Sequence, residues 1–406
     1  MRAPWQRLAL LKNPVLEYAW GSKTFLPDLL NDSSPSKEPK AELWMGTHSK
    51  APSRVYWDNS WISLSRAIRE NPIAILGKEV AERFSNQLPF LFKVLAAEIP
   101  LSVQAHPDRE MALEGFDCEN RSGIPLDAPN RNYRDQRHKP EIVCALTPFW
   151  VLKGFRPTGQ IIQFVDALGV PALREACDVF DRCPKQEGLK GFFSSIMAAD
   201  PARKAEIVSQ GVAGAQKRAD RDTAFEWMCR LNRHFPGDAG VLAPLFLNLV
   251  CLQPGEAMAI ACGELHAYLE GAAVELMVNS DNVLRGGLTV KHVDIGELLR
   301  VLRFSETSVH ILKPAWETSQ EGVYPTRTEE FVLSVIEART GAPFVSRRNR
   351  AVEIMICSAG SAEISDMGRD DTLSLSKGTS LMVPAAIKQY AIHGDATIYK
   401  ASVPLS

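Results

Sequence analysis

Four short segments place polar, chemistry-capable residues inside apolar surroundings. In Leu101-Ser102-Val103-Gln104-Ala105-His106-Pro107, strict alternation puts Ser102, Gln104 and His106 on one face of a strand, because successive side chains point to opposite faces. His138-Lys139-Pro140-Glu141-Ile142-Val143 delivers a carboxylate at the start of an apolar strand. In Gly263-Glu264-Leu265-His266-Ala267-Tyr268-Leu269, Glu264, His266 and Tyr268 share a face. The fourth segment runs from Glu275 through Asp281, Asn282, Arg285, Gly286 and Gly287 to Lys291.

Two histidines, a glutamate and a glutamine, namely His106, His266, Glu141 and Gln104, make a donor set for one divalent ion. Imidazole and carboxylate suit zinc, and the remaining positions stay open for water or substrate. A neutral Gln in place of a second carboxylate leaves the ion positive and a stronger Lewis acid toward a bound oxygen. On residue types alone, packing readings stand beside these. A strand histidine can be a hydrogen-bonded core residue, and Glu141 can pair with Lys139. Arg285 can be a turn residue before two glycines, Asp281-Asn282 an Asx turn, and Lys93 and Lys139 snorkelling cations. An unpaired charge in an apolar strand is expensive, so the density of such residues favours a site.

The elements that must hold these residues fall into three regimes along 406 residues. Residues 1–155 are rich in Pro, aromatics and short apolar runs. Short helices are expected around Leu26, Leu29 and Leu30 and around Leu64, Ala67 and Ile68, and Phe90-Leu91-Phe92-Lys93-Val94-Leu95 reads as a buried strand with a lysine in its middle. Residues 156–240 are helical: Ile161, Phe164, Val165 and Leu168 mark one helix face, and Ala224, Met228, Leu231 and Phe235 another, both read as core. From about residue 245 strands return, with alternation at Phe331, Leu333 and Val335 and turn residues at intervals of roughly ten, the rhythm of a sandwich or jelly roll. The helical block therefore reads as an insertion in a β architecture.

Composition narrows the function classes. Lys plus Arg is 46 and Asp plus Glu 48, a net charge of −2, which removes the electrostatic basis for nucleic-acid binding and still allows one small anionic substrate. The eight cysteines are scattered without a CxxC, so neither a disulfide framework nor a thiolate zinc module is expected. No signal-peptide pattern and no apolar run of about 20 residues is present, so the expectation is a cytoplasmic protein with no membrane partner.

Seven ordered motifs carry a resemblance. Tyr18-Ala19-Trp20-Gly21, Ala41 to His48, Leu88 to Leu95, Leu101 to Pro107, His138 to Glu141, His266 to Leu269 and Asn279 to Thr289 resemble the type I phosphomannose isomerase family, and the strand end Leu381-Met382-Val383-Pro384 fits as well. The resemblance implies a mainly β fold: a cupin-type jelly-roll catalytic domain (1–155 with 241–315), an inserted helical domain (156–240) and a smaller C-terminal β domain (316–406). It implies one zinc ion per chain on Gln104, His106, Glu141 and His266, a catalytic arginine at Arg285, and reversible isomerisation of D-mannose 6-phosphate and D-fructose 6-phosphate through a cis-enediol. Such an activity supplies mannose precursors for GDP-mannose and polysaccharide synthesis or allows mannose use. A monomer is expected. Three departures bear on the pocket rim: Arg137 stands where the family has Asn, Val290 where it has Pro, and Glu264-Leu265 where many members have Thr or Pro.

That chemistry needs a base near C1 and C2, an electrophile for the enediolate and an anchor for the phosphate. Arg285, always charged, suits the enediolate. Glu275, Asp281, His106, Lys139 and Tyr268 are the candidates for proton transfer, and Ser102, Lys93, Lys139 and Lys291 for the phosphate; Trp20 and Glu42 are expected to line the pocket. A metal cupin dioxygenase or epimerase, with iron or manganese, is the competing enzyme class, and the Gln ligand and the Arg285 segment speak against it. A non-enzymatic carbohydrate-binding relative would be expected to lack a ligand or Arg285. A fused guanylyltransferase would need more length and a Gly-rich nucleotide loop.

Overall fold

Strand Phe90–Ala97 shows how the chain places charge inside apolar sequence. Phe90, Phe92, Val94 and Ala96 pack into one core, while Leu91, Lys93 and Leu95 project from the opposite face. Its neighbours are Glu42–Gly46 on one side and His266–Val278 on the other, both antiparallel, with Trp44, Lys93 and Glu275 directly opposite one another across three strands. A period of two thus delivers Lys93 to the same surface as Glu275.

The computed structural model describes residues 4–183, 185–369 and 371–405. Within them the named strands pair antiparallel in two large sheets. One is built on the order Leu247–Leu252, Phe149–Phe155, His266–Val278, Phe90–Ala97, Glu42–Gly46, Val15–Leu16, with Glu141–Ala145, Ala257–Ile260, Gln104–Ala105 and Leu284–Arg285 attached. The other collects the C-terminal strands around Glu353–Asp366 and Tyr390–Ser402. The two sheets face each other across a shared core in which Phe90, Phe92, Val274 and Leu276 meet Tyr324, Leu333, Ile354 and Tyr399. The C-terminal sheet closes over a second core of its own, including Ile336, Met355, Ile364 and Ile398.

The chain's beginning crosses the boundary expected at 315/316. Strand Ala9–Lys12 hydrogen-bonds to Ser380–Val383, with Ala9 opposite Met382, and carries Arg54–Trp57 and Ser60–Ser63 into the C-terminal sheet. The core at Leu8 belongs to that sheet as well.

The helical block runs from Thr158–Leu168 to Ala243–Phe246, a few residues past the expected end at 240. Ile161, Val165 and Leu168 are buried as the stripe predicts, and Pro171 opens the helix Pro171–Cys177. Asp222 caps the helix Thr223–His234, whose Ala224, Met228 and Leu231 face inward. The core of this block is continuous with Val103, Ala105, Ala267 and Leu284 beside the first sheet, so the insertion is packed onto the strands that carry the site.

Two local readings differ from expectation. Leu101 to Pro107 forms a strand only at Gln104–Ala105, since Pro100 and Pro107 remove donors at both ends. The 13-residue helix Arg109–Arg121, capped by Asp108, carries too few apolar residues to show a helical stripe.

Candidate metal and substrate site

The strand register assembles the site in two rows. His266 lies opposite Gln104, and Gln104 opposite Arg285; the second row is Trp44, Lys93 and Glu275. Glu141 begins its strand opposite Ile260 and Met277. Potential ligand atoms of His106, Glu141 and His266 all lie within 4.8 Å of one another. Glu141 Oε1 is 3.2 Å from His106 Nε2 and its Oε2 is 3.5 Å from His266 Nε2, with Gln104 Nε2 3.4 Å from the latter.

The ring orientations suit a metal ion. His106 Nδ1 lies 2.7 Å from the Asn282 carbonyl, and His266 Nδ1 3.0 Å from the Glu264 carbonyl. A carbonyl only accepts, so each Nδ1 carries the proton and each Nε2 presents a lone pair inward. His106 Nε2 is buried and has no hydrogen-bond partner among the described residues. A buried acceptor left unmatched is costly, and a cation at that point would remove the cost. Burial, and then the charge of Lys139, lower the His106 pKa to about 4, so its ring is neutral at pH 7. Burial would raise Glu141, but Lys139 at 3.0 Å outweighs it and holds the carboxyl well below the usual carboxylate range. A neutral imidazole and an ionised carboxylate are the protonation states that bind zinc.

Above this set opens a cleft of about 960 Å³. Gln104, Glu141, Arg285, Glu275, Asp281, Tyr268, Lys139, Ser102, Lys93, Lys291, Trp20 and Glu42 all line it, and His106 and His266 sit behind its wall. Glu264 turns away to Lys153, 3.3 Å distant. Arg137 bonds the Asn279 carbonyl and Gln87, away from the lining.

The cations of the cleft fall into two groups. Lys93 is buried, 3.0 Å from Glu275 and 3.9 Å from Glu42, with its ammonium over the Trp44 ring. Burial would lower its pKa; Glu275 and Glu42 reverse that and raise it. It neither snorkels nor offers a free charge. Arg285, by contrast, makes no side-chain hydrogen bond or ion pair among the described residues; burial and then Arg134 lower its pKa, although a guanidinium stays charged. Lys291 is likewise lowered by burial, then by Arg285, Lys50 and Arg134. Unpaired, mutually repelling cations around a cleft create an attractive place for an anion.

The possible proton carriers differ in the same way. Burial, with Glu141 and Glu42 nearby, raises Glu275 despite Lys93 and Lys139. Asp281 goes the other way: burial is outweighed by His48 (3.4 Å) and Lys50 (2.9 Å), which push it far down. Tyr268 donates to Glu141 Oε2 at 3.3 Å, and burial followed by Glu141 pushes its hydroxyl well above its ordinary value.

Sequence reading missed Arg134, Lys50, Trp44 and His234, all of which line the cleft. Trp44 was accessible in principle, since it follows Glu42 by two residues in one strand. Arg134 and Lys50 sit on irregular backbone, and His234 ends a helix of the insertion, so no periodicity marks them. Asn282, fully buried, has a larger role than a turn: its side chain bonds the backbone of Arg134, Asp135 and Arg137 while its carbonyl orients His106. Asp238, from the end of the helical block, accepts from Gly240, Leu288 and Thr289 and so fixes the loop after Arg285. Gly287 is required there: at φ +127° a Cβ would lie 2.8 Å from the Gly240 backbone.

An antiparallel β fold with a buried His–Glu–His set beneath a cationic cleft defines a metal-dependent enzyme for a small anionic substrate. Comparison with known proteins agrees. Residues 8–158 match the family model for the phosphomannose isomerase type I catalytic domain. The chain is 39% identical over 354 residues to mannose-6-phosphate isomerase of Salmonella typhimurium, covering 87% of this chain and 89% of that one. It is 37% identical to the Escherichia coli enzyme of the same name, covering 95% and 96%. A crystal structure of the Salmonella typhimurium enzyme bound to fructose 6-phosphate and zinc superimposes with a TM-score of 0.89 at 35% identity, over 98% of this chain and 100% of that one. The chain belongs to the type I phosphomannose isomerase family, and its fold is the mainly β, cupin-type architecture of that family.

Proposed function

We propose that this chain interconverts D-mannose 6-phosphate and D-fructose 6-phosphate with one zinc ion held by Gln104, His106, Glu141 and His266. The observation that carries the reading is the buried, unpartnered Nε2 of His106, facing Glu141 beside His266 Nε2. Zinc, when bound, supplies a Lewis acid for the O1/O2 region of the open-chain sugar. The residues supply the rest. Arg285, charged and without a side-chain partner among the described residues, stabilises the enediolate oxygens. Glu275 carries the proton between C1 and C2, because its proton affinity is raised where those of Asp281 and Glu141 are lowered. Lys139 and Tyr268 hold Glu141 in place. The phosphate goes to Lys291, Arg134 and Ser102, since Lys93 and Lys139 are already ion-paired. Trp20 and Glu42 line the sugar end.

The chain reads as a cytoplasmic monomer. All eight cysteines are free thiols, no helix of the described residues is long and apolar enough to cross a membrane, and one chain supplies every cleft residue. Elemental analysis should find about one zinc per chain. Fructose 6-phosphate formation from mannose 6-phosphate, followed in a coupled assay, should stop on chelation and return with zinc. Full activity in metal-free protein would overturn the assignment.

A further inference from the structure

The Arg285 guanidinium makes no side-chain hydrogen bond or ion pair among the described residues, so nothing at its tip holds it and its backbone must set its position. On one side that backbone is tied to the strand of a metal-site residue. Arg285 lies opposite Gln104, Gly286 N–H donates to the Val103 carbonyl at 2.7 Å, and Val103 N–H donates to the Gly287 carbonyl at 3.0 Å. On the other side the ties come from the helical insertion. Asp238 Oδ1 accepts from Leu288 N–H at 2.8 Å, and its Oδ2 from Thr289 N–H at 3.4 Å.

The turn between these ties is strained. Gly287 has φ +127° and Leu288 φ +52°, and the left-handed region is unfavourable for a leucine. Such a residue persists only where its surroundings over-determine it. The Leu288 side chain is buried in the same core as Val241 and Leu242 of the insertion, and its N–H is taken by Asp238. Gly240 and the turn approach backbone to backbone, since a Cβ on Gly240 would lie 2.7 Å from Leu288 N. Helix capping accounts for only one of the Asp238 bonds, the one from Gly240 N–H at 2.6 Å at the start of the short helix Ala239–Leu242. Those from Leu288 and Thr289 span 50 and 51 residues and serve the turn after Arg285. A carboxylate suits this place, because its two oxygens only accept and three N–H groups face them.

We propose that Asp238 is a positioning residue for the isomerisation, through which the helical insertion sets where the Arg285 guanidinium meets the substrate. The insertion is then a working part of the site, although it supplies none of the four metal ligands. Without the Asp238 carboxylate, Leu288 relaxes toward an ordinary φ and carries the Arg285 backbone with it. A displacement of about 1 Å at a charged group aimed at developing charge costs a large factor in rate. The part played by Arg285 rests on the functional reading above; the hold of Asp238 on the turn does not.

The test is a double-variant cycle on zinc-loaded enzyme, with amide hydrogen exchange as a readout independent of activity. Asp238→Ala should lower kcat about 10–100-fold with zinc content unchanged. In an Arg285→Ala background the same change should cost less than about twofold, because the group it positions is gone. Asp238→Asn keeps one oxygen for Gly240 and Leu288 and should stay within about threefold of wild type. Gly240→Ala pushes on the turn without removing an acceptor and should repeat the Asp238→Ala pattern, which covers the case of an Asp238→Ala protein that does not fold. Exchange across residues 284–290 should quicken about tenfold or more in Asp238→Ala, with Phe90–Ala97 unchanged. An equal kcat loss with and without Arg285 would show that Asp238 serves the fold at large and would overturn the proposal, as would unchanged exchange across the turn. Full activity in Arg285→Ala alone would count against the functional reading, while the exchange still decides whether Asp238 holds the turn.

Discussion

Buried charges at the floor of the cleft coexist because each carboxylate lies within 4 Å of a cation: Glu42 and Glu275 near Lys93, and Glu141 near Lys139. Three carboxylates against two ammonium groups leave one negative charge in excess, which a divalent cation would convert to one positive. Such pairs shape chemistry more than stability, since desolvation offsets much of their attraction. Arg285 has no side-chain partner among the described residues, so its removal should be felt by the transition state alone. Arg285→Ala is expected to lower kcat by about 10²–10³-fold with zinc content and fold unchanged; a change mainly in KM would assign Arg285 to the phosphate. Glu275 must be ionised to take a proton, and its raised affinity places the rising acid limb of kcat/KM above the ~4.3 of an ordinary glutamate. A limb at or below that value, or a Glu275→Gln variant retaining more than about 1% of activity, would remove it from this role.

Much of the site was legible in the strands because strand periodicity is simple. Lys93, Gln104 and Glu275 alternate with apolar residues, so a charged residue at such a position must face something other than core. The loops were less legible. Arg134 enters the cleft because Asn282, nearly 150 residues away, ties down its backbone, and no local pattern encodes that contact. His234 arrives on the end of a helix whose register follows from packing of the insertion. His138 joins two elements in the same long-range way, linking the segment before Glu141 to Glu330 near the C-terminal sheet. Because its folded pKa is raised, this link contributes stability fully present below the unfolded value near 6.5 and lost as pH rises through about 9. The gap in thermal midpoint between wild type and His138→Gln should therefore be wide near about pH 6 and narrow near about pH 10. An equal gap at both would show that the ring contributes through packing instead of charge.

On the scale of the whole chain, hydrophobic periodicity pointed to a mainly β fold with a helical block between strands, and the strands and helices fall in that order. The pairing of Ala9–Lys12 with Ser380–Val383 was not legible, since edge-to-edge partnership between distant strands leaves no mark in either. The first sheet also buries Phe90, Phe92, Val274 and Leu276 against residues beyond 320. A chain ended at Ala315 is thus expected to be insoluble or aggregated, as judged by expression and size-exclusion chromatography, even though every cleft residue remains. A monodisperse, zinc-binding fragment would show the catalytic sheet to be self-sufficient. The same strand has a consequence in time. Lys12 leaves the ribosome roughly 370 residues before Ser380, which at ~5–20 residues per second is about 20–70 s with one edge of a nascent hairpin unpaired. For that interval the growing polypeptide depends on its surroundings, chaperones included, to shield an edge that only the last tenth of its own translation can cover.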